Sequence, residues 1–110
     1  MLPSYILKVD FISTDTTSSE GSFHELLAPS LIHLDALKGA FDRKPSTTTY
    51  YPPGVLRGTT GWSARCVVMI SVGKNRAEYL IQLYDAIVSL IELELPHLEI
   101  HSDVSKFEFS

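Results

Sequence analysis

The sequence predicts a domain of the α+β class, and three observations lead to that prediction. At 110 residues, the chain has the length of one domain, so residues 1–110 are treated as a single unit. Its 45% apolar and 20% charged residues match globular averages, which excludes disordered and fibrous classes. The spacing of apolar residues also switches along the chain between a period of two and spacings of three and four, as strands and helices alternate.

The first predicted element is a strand over residues 4–13, where apolar residues recur at every second position. The next segment, residues 14–22, is almost entirely polar, which predicts a flexible loop. Four side chains of the strand share the face that we expect to be buried: Tyr5, Leu7, Val9 and Phe11.

A helix is predicted over residues 23–41, because apolar residues recur there with three- and four-residue spacing. Ser22 followed by Glu25 matches a capping box, with Ser22 as the N-cap. Pro29 lacks an amide proton, so we expect a kink or a restart at that point. Gly39 is expected to end the helix.

The middle of the chain, residues 42–61, contains three prolines and three glycines and is predicted to be mostly a flexible connection. Residues 47–51 have strong strand propensity and could form an edge strand that Pro52 and Pro53 would end. The clearest strand of the sequence covers residues 62–72. Its expected buried face consists of Trp62, Ala64, Cys66, Val68, Ile70 and Val72.

The second predicted helix follows Gly73, with Asn75 as its N-cap and Glu78 completing a capping box, and it ends before Pro96. Its polar residues form one narrow stripe, so we expect coverage on two sides, by the sheet and by the first helix or another subunit. The tail, residues 97–110, alternates again, which predicts one long bulged strand or two short ones.

This order of elements predicts a ferredoxin-like β-α-β-β-α-β sandwich. Two right-handed crossovers place both helices on one face of an antiparallel sheet with strand order 4-1-3-2. The opposite face of the sheet carries no helix, and we call it the open face.

Charge and cysteine content exclude several function classes. Nine basic and thirteen acidic residues give a net charge of −4, which argues against a nucleic-acid partner. The single cysteine, Cys66, excludes an internal disulfide and a zinc site built on several cysteines. The sequence shows no signal-peptide pattern and no run of ~18 apolar residues. We therefore expect a soluble cytoplasmic protein without a membrane partner and without a cofactor.

His97, Glu99 and His101 are two residues apart, so on a strand their side chains would project from one surface. Imidazole and carboxylate groups suit zinc, nickel or iron. No fourth ligand can be identified, and the pattern equally fits the polar outer side of an antiparallel strand. We therefore predict no metal site and treat the three residues as candidates for ligand or interface contacts.

Lys74, Asn75 and Arg76 are candidates for anion binding. They open the second helix, where free amide groups and the helix dipole favour a negative charge. A single glycine before them does not make a phosphate-binding loop. The alternative is that both cations extend into water or pair with Glu78.

The open face is expected to be the contact surface, because it carries more apolar residues than a wet sheet face needs. The 42–61 connection or the tail could cover it, but that connection has few large aliphatic residues. We therefore predict a twofold homodimer. Its expected centre is Met69, Val67 and Ile12, and its expected rim is Lys8, Asp10 and Arg65.

These patterns favour a self-associating binding or interaction module, because they contain no complete catalytic constellation. The alternative is a small dimeric α/β-barrel-type enzyme or ligand-binding protein that acts on a small hydrophobic molecule at the open face. In that case His97, His101 or Asp10 would be the general base.

Overall fold

The computed structural model describes residues 3–41, 47–56 and 59–107. The four strands form one antiparallel sheet in the order β2-β3-β1-β4, which is the predicted 4-1-3-2 order read from the other edge. The predicted α+β ferredoxin-like fold is confirmed. The elements are β1 (Ser4–Ser13), α1 (Glu20–Phe41), β2 (Thr47–Tyr51), β3 (Ser63–Ser71), α2 (Lys74–Glu94) and β4 (Leu98–Phe107).

The hydrophobic core lies between the sheet and both helices. Trp62, which was expected in it, is only partly buried and packs against its margin. Fully burying one large apolar side chain contributes roughly 1.5–3 kcal/mol, so this layer dominates the stability of the fold. The central strands contribute Tyr5, Leu7, Val9 and Phe11 from β1 and Ala64, Cys66, Val68 and Ile70 from β3. The helices contribute Phe23, Leu27, Leu34, Leu37, Leu80, Tyr84 and Ile91, among others.

α1 begins earlier than predicted, because Ser19 and not Ser22 caps it. The Ser19 hydroxyl oxygen accepts the backbone N–H of Ser22 at 3.1 Å. The Ser19 carbonyl accepts the N–H of Phe23, also at 3.1 Å. The predicted loop therefore ends at residue 19, and the Ser22–Glu25 capping box does not form.

α1 also continues through both residues that were expected to interrupt it. Pro29 and Gly39 lie inside one continuous helix and face solvent, so the predicted restart and termination are wrong. Leu27, Leu34 and Leu37 are buried on the opposite side of the same helix. Their packing outweighs the local cost of the helix breakers.

α2 starts one residue before the predicted cap. Gly73 is its N-cap residue and makes no side-chain capping bond. The N–H groups of Arg76 and Ala77 both donate to the Gly73 carbonyl, which leaves Asn75 inside the first turn. The expected Asn75–Glu78 capping box is therefore wrong.

The outer side of α2 is not covered by the described chain. Leu90 is 41% exposed and Leu93 is 80% exposed, and Ile32 on α1 is 67% exposed. Coverage of this side by another subunit stays a prediction.

β4 is one regular strand. It pairs with β1 in a single register from Ser4 opposite Phe107 to Ser13 opposite Leu98. The expected bulge or division into two strands is therefore wrong for residues 98–107.

Gly61 fixes the connection between β2 and β3 against the end of β1. A Cβ atom at this position would overlap the Ser13 carbonyl oxygen and would lie 3.0 Å from that of Asp15. The N–H of Ser13 donates to the Trp62 carbonyl at 2.9 Å. This close approach holds the end of the connection against the end of β1.

Within the described ranges, neither helix is both long enough and apolar enough to cross a membrane.

Candidate functional site

The open face is built from every second residue of the strands, and the register aligns these residues in rows. Asp10 of β1 lies opposite Arg65 of β3 and His101 of β4, which defines a polar central row. One row further, Lys8 lies between Val67 and Asp103. Ile12, on the other side of the central row, lies opposite Glu99.

The central row contains a closed ion pair. Arg65 donates from Nε to one oxygen of Asp10 at 2.8 Å and from Nη2 to the other at 3.0 Å. The hydrogen bond that Arg65 donates to Asp10 raises the pKa of Arg65. The Asp10 side chain is 12% exposed and that of Arg65 is 34% exposed. Lys8, Asp10 and Arg65 all lie on the two central strands, and their place at the rim of the expected dimer interface stays a prediction.

Glu99 and His101 form a second polar pair beside the first. Nε2 of His101 lies 2.7 Å from Oε1 of Glu99, and both side chains are more than half exposed. His97 lies in the turn before β4 and does not share the strand with them. Among the residues that the structure describes, no three His, Cys, Asp or Glu side chains are placed to hold a metal ion.

A cleft of about 380 Å³ lies beside the central row, under the connection between β2 and β3. Thr59 is 8% exposed, and its hydroxyl donates to the Leu56 carbonyl. The connection therefore reaches this end of the face through Leu56 and Thr59. The cleft is lined by Asp10, Ile12, Leu56, Thr59, Arg65, Glu99 and His101.

The other end of the open face carries a cluster of apolar side chains, bordered by the polar side chains of Ser4, Ser71 and Ser105, and no described residue covers it. Ile6 and Met69 are directly opposite each other on β1 and β3, and Val67 lies on the same side of β3. Met69 is 54% exposed and Phe107 is 46% exposed. We call Ile6, Val67, Met69 and Phe107 the open-face patch. The sequence missed Phe107 because the phase of the tail was undecided, and the regular register of β4 now fixes its side.

Two polar side chains from the helices donate hydrogen bonds to the backbone carbonyls of the central strands. The Tyr84 hydroxyl of α2 donates to the Lys8 carbonyl at 2.9 Å and lies 3.4 Å from that of Asp103. Burial raises the pKa of Tyr84 to about 12. Lys38 of α1 is buried and donates from Nζ to the Met69 carbonyl at 2.7 Å.

The anion-binding candidates are all exposed in the first turn of α2. The guanidinium carbon of Arg76 lies 4.7 Å from the ring centroid of Phe41, so this side chain stacks on an aromatic ring. This contact differs from the predicted alternative of pairing with Glu78. Among the described contacts, none places Lys74 or Asn75 beside another group that would help to bind an anion at this helix end.

The remaining histidines do not form a site together. His24 stacks on Tyr50 with ring centroids 3.8 Å apart, and His33 has Nε2 3.9 Å from a Glu94 oxygen. Cys66 is 1% exposed in the core, as its position on the inward face of β3 predicts.

Comparisons of this chain with protein-family models, with curated proteins and with solved structures found no match.

Proposed function

We propose that this protein is a self-associating binding module in which two copies meet through the open faces of their sheets. The open-face patch carries this proposal. It lies mainly on the two central strands, and Met69 at its middle is 54% exposed. A central strand that is apolar on both sides is stable in water when both of its faces are covered. Both helices cover the other face.

A second copy of the chain suits the open face, because a twofold contact sets the same apolar patch against itself. The Asp10–Arg65 pair does not oppose this contact, because the two side chains already compensate each other within one chain. Covering this pair therefore leaves neither of its charges unpaired. Lys8 and Asp103, which lie opposite each other beside Val67, are further charged residues that the contact would meet.

Sedimentation of the wild type and of Met69→Lys at micromolar concentration tests this proposal. We expect the wild type to associate through the open face and Met69→Lys to lose that contact, because two lysines would meet near the twofold axis. Met69→Leu keeps an apolar side chain of similar volume and should associate like the wild type.

Leu93→Lys is the control for the helical side of the molecule. Leu93 is 80% exposed on α2, so the substitution changes surface charge equally without touching the open face. If Leu93→Lys dissociates the protein and Met69→Lys does not, the interface is on the helices and the proposal is wrong. A wild type that is monomeric at 100 µM also contradicts it.

The cleft favours a second candidate function, which is the binding of a small hydrophobic acid. Its volume of about 380 Å³ lies in the size range of small-molecule sites. Ile12 and Leu56 supply apolar walls, and Arg65 and His101 supply polar groups. Of the three candidate bases, Asp10 has both oxygens bound to Arg65 and His97 lies outside the cleft. If the site is catalytic, His101 is therefore the accessible base.

A thermal-shift measurement with hexanoate and benzoate tests the cleft, since a ligand that binds the native state raises its melting temperature. We expect the increase in wild type and in Val55→Ser, and its loss in Leu56→Ser. Val55 is the adjacent residue, is 61% exposed and does not line the cleft. Equal melting temperatures with and without both acids in the wild type would contradict acid binding.

A further inference from the structure

The outer edge of β4 is a second surface on which a partner can be identified. We infer that β4 pairs with β4 of a second copy, antiparallel and centred on Ser102, so that two sheets join into one continuous sheet. This inference does not depend on the open-face contact.

The edge itself favours pairing. β4 is the last strand of the sheet, and no described residue pairs with its outer side. It spans 10 residues without proline, whereas the opposite edge strand, β2, has 5. Natural proteins usually shorten, bend or cover an edge of this length, since its free N–H and C=O groups are a template for another strand.

Tyr84 shows which backbone groups of β4 are free. Its hydroxyl lies within hydrogen-bonding distance of the carbonyl oxygens of both Lys8 and Asp103. These two residues are opposite each other, so both carbonyls lie between β1 and β4. Successive residues of a strand direct their polar groups to opposite sides. The N–H and C=O groups of Ile100, Ser102 and Val104 therefore point to the free edge.

A twofold axis through Ser102, perpendicular to the sheet, brings these free groups together. It pairs Ser102 with its copy and Ile100 with Val104, and both of these are hydrogen-bonded positions. His101 then lies opposite Asp103 at a position without backbone hydrogen bonds, where side chains are closest. Because of the symmetry, this complementary pair occurs twice. Ile100 and Val104 already pack against the core, so their pairing extends it across the junction.

Other centres are less favourable because of the charges. A centre on Asp103 sets two Asp103 carboxylates against each other, and a centre on His101 sets Glu99 against Asp103. Like charges directly opposite in a ladder are destabilising. A centre on Ile100 pairs Glu99 with His101 but reduces the overlap to residues 98–102. The axis through Ser102 combines a long overlap with an imidazole opposite a carboxylate at both symmetric positions.

Ser102→Pro is the first test. Proline removes the outward N–H at the centre of the junction and leaves the ladder to β1 intact, as edge strands tolerate. Ser102→Ala is its matched control, because it keeps the N–H and loses only the hydroxyl that contacts Tyr84. We expect Ser102→Ala to associate like the wild type in analytical ultracentrifugation. Ser102→Pro should raise the dissociation constant of the β4–β4 contact at least tenfold and leave the circular dichroism spectrum unchanged.

A charge exchange tests the register independently of any effect of proline on folding. His101→Asp sets two carboxylates opposite each other at both symmetric positions and should weaken association at least tenfold. The double variant His101→Asp, Asp103→His again sets an imidazole opposite a carboxylate and should restore association. Gln82→Glu adds a negative charge on the exposed side of α2 and should have no effect. If His101→Asp has no effect, or if the double variant does not recover, the register is wrong.

The two proposed interfaces can be tested separately, because each variant removes only one of them. With both present, the wild type is a tetramer, Met69→Lys leaves a dimer joined through β4, and Ser102→Pro leaves a dimer joined through the open face. If Met69→Lys has no effect and Ser102→Pro yields monomers, the open-face proposal fails and the β4 inference stands. If Ser102→Pro has no effect and Met69→Lys yields monomers, the β4 inference is overturned.

Discussion

The two faces of the sheet differ in what determines their composition. On the inner face, alternate residues of β1 and β3 are apolar and at most 6% exposed, because both helices cover them. On the open face, the same strands carry the Asp10–Arg65 ion pair, with Ile12 on one side of it and Val67 on the other. Exposure there ranges from the buried Asp10 to Met69 at 54%.

This difference shows that burial within one chain explains only the inner face. A sheet face that meets water needs polar residues at most positions. The open face of the central strands instead keeps Ile6, Ile12, Val67 and Met69. The connection above Ile12 accounts for one end of the face. The apolar composition of the other end is explained if a second copy covers it.

Substitutions of two adjacent valines on β3 should show the largest difference between the two faces. Val68 is 2% exposed on the inner face, whereas Val67 is partly exposed on the open face. Val68→Asp buries an unpaired carboxylate, so we expect a loss of more than ~3 kcal/mol and no soluble protein. Val67→Asp can be hydrated and should give a soluble, folded protein that has lost the open-face contact. Soluble expression and urea unfolding of both variants check this.

A soluble, cooperatively folded Val68→Asp protein would mean that the inward face of β3 is assigned to the wrong residues. Equal losses for both valines would mean that the open face is as closed as the inner one within a single chain.

A smaller effect is expected from a substitution at Gly61, which holds the connection between β2 and β3 against the end of β1. In Gly61→Ala, the new Cβ overlaps the Ser13 carbonyl, a backbone atom that cannot rotate away. We expect a loss of about 1–3 kcal/mol, a typical cost of overpacking. Gly39→Ala is the control: its Cβ meets no atom within 4 Å, and alanine in a helix interior should stabilise by roughly 0.5–1 kcal/mol. Thermal unfolding of the two variants in opposite directions is the expected result.

The fold was predictable because periodicity reports burial directly. Each strand and helix was expected near its observed position, and the crossover rule gave the strand order. The errors lie mainly at the helix boundaries, at Ser19, Gly39 and Asn75, in addition to the restart expected at Pro29 and the bulge expected in β4. Several residues at each of these ends had suitable chemistry, and packing against the core decided among them.

The candidate site was predictable in its residues and not in its arrangement. Ile12, Arg65, Glu99 and His101 were all expected on the open face. That Asp10 and Arg65 form a closed pair at its centre depends on the register between β1 and β3, which alternation alone does not give. Leu56 and Thr59 reach the cleft because Gly61 approaches Ser13, a tertiary contact without a sequence pattern.

Tyr84 links the two faces and supports the last and smallest prediction. Its ring is buried in the core, and its hydroxyl donates to the backbone of Lys8, whose side chain is on the open face. Tyr84→Phe should cost about 1 kcal/mol at pH 8 through the lost hydrogen bond. The pKa of Tyr84 is raised to about 12 in the folded protein. The neutral hydroxyl therefore persists to a higher pH in the folded protein than in the unfolded chain.

The pH dependence follows from this shift. The contribution is fully present below the unfolded value of about 10 and is lost as the pH rises towards 12, by roughly 3 kcal/mol in total. Tyr84→Phe lacks this titration, so its stability relative to wild type should improve above pH 10. The variant should become the more stable of the two proteins above about pH 11. Urea unfolding of both proteins at intervals from pH 8 to 11.5 measures the difference. A stability difference that stays constant over this range would show that the Tyr84 hydroxyl is not buried beneath the open face.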